Sequence, residues 1–243
     1  MVNCFVCYVA RNDPSLSEYF LPLSLSEVIG VTKFVARTEE LTQLHGILGT
    51  GDGRRTAILH GLGGMGKTQV AVAYVKGHHA DYSAAIWLNA RDETTLKQSF
   101  TGAAERIFRQ HPSLVYIQNA IKDRDLDQMV QAIKRWLDEP KNNKWLLVFD
   151  NYDDPKLGTQ NNELLQAGMT GLSITQEDSI AKAYDIRKYF PSTFHGSILI
   201  TTRSIVDIGH RIRLGKLTNT QDSLEILVST SHRQNLYNGE TGH

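Results

Sequence analysis

The sequence predicts an α/β domain of three layers, with five parallel strands in one sheet and helices on both faces. Three observations predict it. Five short segments are apolar from end to end, the pattern of strands buried on both faces. Amphipathic stretches with helical spacing alternate with them. A glycine-rich turn joins the first of these strands to the helix after it, over Gly61–Gly66.

The elements follow in order. Thr38, Glu40 and Leu41 mark a helix start, and Leu41, Leu44, Ile47 and Leu48 share one face. The turn "TGDGRR" leads into the strand "RTAILHG". After the glycine turn, Val70, Ala73 and Tyr74 begin a second helical stripe. The strand "AAIWLNA" (84–90) precedes a helix capped by Asp92 or Thr94, with Leu96, Phe100, Ala103, Ala104 and Ile107 inward. Leu126, Met129, Val130, Ile133 and Leu137 define a helix over 125–139. Strands are expected at 144–150, 196–202 and 210–217, and a closing helix at "TQDSLEILVSTS". Residues 1–30 read as a weakly ordered leader or linker, 31–232 as the domain, and 233–243 as a tail. The polar stretch 156–190 is a long loop or insertion, with a short helix expected in 178–190.

Composition narrows the function. Lys plus Arg number 26 and Asp plus Glu 26, so no net field draws the chain to nucleic acid or an anionic membrane. No apolar run is long enough to span a bilayer, and the N-terminus lacks the basic start of a secretory signal. Cys4 and Cys7 have no second Cys/His pair at zinc spacing, so two reduced thiols in a cytoplasmic setting are expected. His78 and His79 follow a helix end, where cationic side chains suit the dipole; no partner ligands stand at metal spacing. Trp87, Trp136 and Trp145 are expected in the core.

Three motifs carry chemistry. Gly61-Leu62-Gly63-Gly64-Met65-Gly66-Lys67-Thr68 fits G-x-x-x-x-G-K-[ST], the phosphate-binding loop. Its glycines let successive N–H groups wrap an anion, Lys67 would reach the β- and γ-phosphates, and Thr68 would ligate Mg²⁺. In "KWLLVFDNYDD", Asp150 ends a buried strand, where it would hold water on the same Mg²⁺. The neighbouring position, where a hydrolytic enzyme often has a second acid, is Asn151; Asp153 and Asp154 are read as the turn before Pro155. In "GSILITTRS", Thr202 or Arg203 would sense the γ-phosphate, and Arg203 would offset charge during phosphoryl transfer.

Together these residues resemble the NB-ARC domain of STAND-class P-loop NTPases, the switch modules of NOD-like receptors and apoptosome-type proteins. "FVARTEELTQL" is similar to that family's lead-in motif, "GLGGMGKTQVA" to its Walker A, "LLVFDNYDD" to its Walker B and "ILITTR" to its sensor I. The wording "WLNARDETTL" and "GHRIRLGKLTNTQDSLEIL" is most similar to fungal NB-ARC proteins, which often carry TPR repeats. The resemblance implies an adenine nucleotide flanked by Val35 and Arg37 and held by Gly61, Gly63, Gly64, Met65, Gly66, Lys67, Thr68 and Gln69. It implies Mg²⁺ on Thr68 and Asp150, catalytic roles for Lys67, Asp150 and Arg203, and slow ATP hydrolysis. It further implies signalling in innate immunity or programmed cell death, with oligomerisation through a full-length protein. The family's GLPL-type helical segment and winged-helix domain have no counterpart in this stretch, and 156–190 is longer than the resemblance leads one to expect.

Two other classes share these motifs. An ordinary P-loop ATPase or small-molecule kinase uses the same loop, but a kinase needs a lid and an acceptor site for which the sequence offers no residues. A truncated, non-catalytic nucleotide-binding module is the other. Adenine is favoured over guanine because "NNKW" (142–145) lacks the Asp of N-K-x-D.

Overall fold

The computed structural model describes residues 18–25, 37–49, 53–156 and 183–217. Five strands form one parallel sheet: β1 Arg55–His60, β2 Ala84–Asn89, β3 Trp145–Asp150, β4 Ser197–Thr202 and β5 His210–Arg213. Their order is β2-β3-β4-β1-β5. Among the described residues five α-helices surround it: α1 Thr38–Leu48, α2 Lys67–His78, α3 Glu93–Gln110, α4 Val115–Asp123 and α5 Leu126–Leu137.

The end-to-end apolar strands explain the layering. Along β3, Leu147 and Phe149 enter a core shared with α3, α4 and α5, while Leu146 and Val148 enter a second core shared with α1 and α2. Successive strand residues point to opposite faces, so a strand with no polar position must be covered twice. Trp136 and Trp145 are fully buried, and Trp87 packs half-buried at the margin of the second core.

The strands expected from sequence are present, and most end within a residue of the expected bounds. The fifth stops early, at Arg213 rather than Leu217. Leu214 still donates to the His60 carbonyl at 2.8 Å, but β1 ends there and offers no further partner. Helix α4 has no counterpart among the expected elements: it buries only Ile117 and Ala120 and has no side-chain cap, so its stripe is short. Asp92, one of the two expected caps, receives the Thr95 N–H at the start of α3.

Two stretches expected to be irregular are partly built into the fold. Leu21 is buried and pairs with Ala84 beside β2. The stretch 156–190 leaves and returns at one point, where Pro155 bridges Tyr184 and the Lys156 N–H donates to the Tyr184 carbonyl at 2.9 Å. Of the short helix expected in 178–190, the described residues form a 3₁₀ turn, Ile186–Tyr189, capped by Asp185. Residues 157–182, the closing helix, the tail, Cys4, Cys7 and Val35 lie outside the described residues.

Gly196 sets the start of β4. Its φ is +78°, and a Cβ there would lie 2.3 Å from the Trp145 ring. Gly196→Ala therefore combines left-handed strain with a clash in a packed core, at about 2–4 kcal/mol. Urea denaturation is expected to show that loss; an unchanged midpoint would mean that β4 does not begin against Trp145.

Candidate functional site

The carboxyl ends of β1, β3 and β4 converge at the point where the strand order reverses, the crevice where open parallel sheets bind ligands. β1 runs into the glycine loop and then into α2. The loop is shaped by close approach: a Cβ at Gly61 would meet the Leu214 carbonyl oxygen at 2.5 Å. Gly66 stands at the N-cap of α2 with φ +83° and supplies no side-chain cap. The first N–H groups of α2 therefore keep the donor capacity and partial positive charge of an uncapped helix start. That is the chemistry of an anion site.

Lys67 and Thr68 open this helix. Lys67 folds back on the loop and donates to the carbonyls of Gly61 at 2.8 Å and Leu62 at 3.0 Å. Burial holds its ammonium below the usual lysine range; Asp153 and Asp150 act against that shift and Arg203 with it. Gln69 is half-buried in the same first turn, and Met65 packs against the second core. Gly63 and Gly64 form the exposed crown of the loop.

Asp150 is the buried acid of the site, at 5% exposure. Its Oδ1 receives the Thr68 hydroxyl at 2.9 Å and the Thr201 hydroxyl at 2.6 Å. Burial pushes this carboxyl above the usual carboxylate range, Asp153 adds to the push, and Thr201, Thr68 and Lys67 oppose it. Thr201 Oγ1 also accepts the Asn151 N–H at 3.0 Å, which fixes the turn after β3. Asn151 has φ 66°, a conformation that Asn and Asp tolerate best among residues with a Cβ. The structure thus brings Thr68 and Asp150 together: two hard oxygen donors of the kind that suits Mg²⁺.

Of the two γ-phosphate candidates, only Arg203 presents a side chain. Thr202 is fully buried and its hydroxyl accepts the Ser204 N–H at 3.0 Å. Arg203 is 64% exposed and pairs through Nε with Asp153 Oδ2 at 2.5 Å. Arg37, at the N-cap of α1, reaches the loop: its guanidinium donates to the Met65 carbonyl at 3.3 Å and the Gly215 carbonyl at 2.7 Å.

Thr201 and Asp153 are site residues that the motif reading passes over. Thr201 becomes readable once β3 and β4 are neighbours, because the register Phe149 to Ile200 sets Asp150 beside Thr201. Asp153 reads as a turn residue until Arg203 is seen against it. The histidines at the end of α2 also gain neighbours: His78 stacks on His45 at 4.2 Å and pairs with Asp81 at 3.2 Å. These three form the one candidate metal trio among the described residues. The two rings are 17° from parallel, so their in-plane lone pairs do not converge on an ion about 2.1 Å from each.

A glycine loop between a central strand and a helix, with a buried acid ending the next strand but one, defines a P-loop nucleotide-binding fold. A scan against known protein families finds none that matches the chain. Among curated proteins the chain is similar to a nucleotide-binding leucine-rich repeat (NLR)-like protein of Hyaloscypha variabilis. The two are 28% identical over 182 residues, which is 71% of this chain and 16% of that protein. Among solved structures it is similar to Cdc6p from Pyrobaculum aerophilum, with TM-score 0.47, 18% identity, and 91% of this chain and 53% of that one covered. It is also similar to the Aeropyrum pernix ORC2 protein in its ADPNP–ADP complexes, with TM-score 0.44, 14% identity, and coverage of 85% and 54%. No helix among the described residues is long and apolar enough to cross a membrane.

Thr201→Val removes a hydrogen bond to a buried carboxylate, at about 1.5–3 kcal/mol near neutral pH. The sign follows from the raised Asp150 carboxyl. The loss is present while Asp150 is ionised and shrinks as pH falls through its folded value, beginning above the usual carboxylate range. Urea denaturation across pH checks this, and Asp150→Asn in the Thr201→Val background is expected to remove the pH dependence.

Proposed function

We propose that this chain is the adenine-nucleotide switch domain of an NLR-type signalling protein, at rest with ADP and active with ATP and Mg²⁺. The observation that carries the reading is the Thr68–Asp150 pair, 2.9 Å apart beneath the uncapped start of α2, with Asn151 beside it instead of a second acid. The Hyaloscypha variabilis relative is named as a nucleotide-binding, NLR-like protein, which supports the nucleotide-binding and NLR-like parts of the reading.

The residues divide the work. The loop from Gly61 to Gly66 and the first turn of α2 wrap the phosphates. Lys67 leaves the carbonyls of Gly61 and Leu62 for the β- and γ-phosphates. Thr68 and Asp150 would hold Mg²⁺, which would offset the negative charge of the phosphates. Arg37 and Val35 flank the adenine, and the Arg37 bonds to Met65 and Gly215 tie that end of the site to the phosphate loop. Arg203 senses the γ-phosphate.

Slow turnover follows from the acids. Asp150 is committed to Thr68 and Thr201, Asp153 to Arg203, and Asp154 is exposed in the turn. Asn151 Nδ2 leans toward Asp150 Oδ2 at 3.4 Å and offers no basic oxygen to an attacking water. A switch needs different contacts in its two nucleotide states more than it needs turnover. The reading extends to a cytoplasmic protein of immune or cell-death signalling that oligomerises under nucleotide control.

Lys67→Ala is expected to weaken Mg²⁺·ATP binding roughly 10- to 100-fold, the scale of a lost charge-assisted hydrogen bond. Calorimetry checks it, and unchanged affinity would reject the phosphate loop. Hydrolysis by the wild-type chain is expected on the order of 10⁻³ s⁻¹ or slower, the scale of an unassisted phosphate switch. Asn151→Asp is expected to raise that rate by about tenfold or more by supplying a general base. Rapid multiple turnover by the wild-type chain alone would sink the switch reading.

A further inference from the structure

We propose that Asp153 is the positioning residue through which this site distinguishes a nucleoside triphosphate from a diphosphate, acting on Arg203. The proposal rests on the nucleotide-switch reading and assigns a determinant of its specificity.

The geometry is specific. Asp153 lies just past the end of β3 and Arg203 just past the end of β4, on adjacent parallel strands. Asp153 Oδ1 accepts the Arg203 backbone N–H at 2.7 Å, and Oδ2 accepts its Nε–H at 2.5 Å. The Asp153 carbonyl accepts the Ser204 hydroxyl at 2.5 Å. One residue thus holds the turn after β4 by both backbone and side chain.

What the carboxylate leaves alone matters as much. It takes the Nε edge, so these bonds do not consume the two terminal nitrogens of the guanidinium. Nη1 lies 4.0 Å from where a Cβ on Gly63 would stand, which puts the far end of Arg203 beside the crown of the phosphate loop. The charges of Asp153 and Arg203 both reach Lys67, with opposite sign. The acid, the arginine and the loop lysine therefore belong to one electrostatic site.

The pair makes little sense as a stability device. An ion pair with a largely exposed arginine contributes little to stability, because water screens it. Its effect is to remove the rotamer freedom of a long side chain before a ligand arrives. A pre-aimed guanidinium loses less entropy on meeting a phosphate. A diphosphate ends before the γ position and does not collect that contact. The Asp153 charge reaches a diphosphate only through Lys67, so Asp153 acts more strongly on triphosphate than on diphosphate affinity.

The test is a double-mutant cycle on this chain, with Asp153→Asn, Arg203→Ala and the double variant titrated with Mg²⁺·ATP and with ADP. Asp153→Asn keeps the size of the side chain and removes its charge. Expected is a loss of roughly tenfold in ATP affinity with ADP affinity within about twofold, and no further loss in the Arg203→Ala background. The ADP titration doubles as the check of folding. Equal loss of both nucleotides, tighter ATP binding, or additive effects of the two substitutions would overturn the proposal. A wild-type chain that binds neither nucleotide would instead overturn the switch reading, and the proposal with it.

Discussion

The site is organised around Asp150, a carboxylate held almost out of water at the end of β3. Burying such a group unpartnered costs several kcal/mol. Two hydroxyls offset that cost: Thr68, from the first turn of α2, and Thr201, from β4. Each comes from a different element, so satisfying one acid locks three together. The glycine loop runs from β1 straight into one of those anchors, α2. Even so, burial holds the carboxyl above its usual range, with the two hydroxyls and Lys67 working against that shift.

Much of this was legible in the sequence because it is local. Unbroken apolar strands and the 3.6-residue stripes of α1, α3 and α5 report burial directly. The loop from Gly61 to Thr68 is one contiguous motif, so its geometry travels with its residues. What stayed hidden depends on neighbours that meet only in three dimensions. Thr201 faces Asp150 because β4 lies between β3 and β1, an order that crossover connections decide. Asp153 reads as a turn former until Arg203, 50 residues on, is brought against it. His45 reaches His78 only when α1 packs on α2. Helix α4 escaped for the opposite reason: too little of it is buried to leave a pattern.

The long stretch after β3 raises a question about the acid-bearing turn, and the hydrogen bonding answers it. Tyr152 donates its hydroxyl to the Tyr184 carbonyl at 2.8 Å, and Tyr184 donates its own to the Ala90 carbonyl at 2.7 Å. With the Pro155–Tyr184 bridge, these bonds close the ends of the excursion on each other. The turn from Asn151 to Asp154 is therefore set by β4 and by Tyr184, and its acids keep their places. On the opposite side of the site, Arg37 does the equivalent work. It spans from the start of α1 to the loop and to the segment after β5, so three distant parts of the chain report to one guanidinium.

The first requirement of a nucleotide switch is that this arrangement hold an adenine nucleotide. It is tested most directly by identifying what leaves the protein when the chain, purified without added nucleotide, is denatured and the released small molecules are weighed by mass spectrometry. The account predicts ADP in near-stoichiometric amount. A guanine nucleotide, or no nucleotide together with no uptake of added ADP, would contradict it.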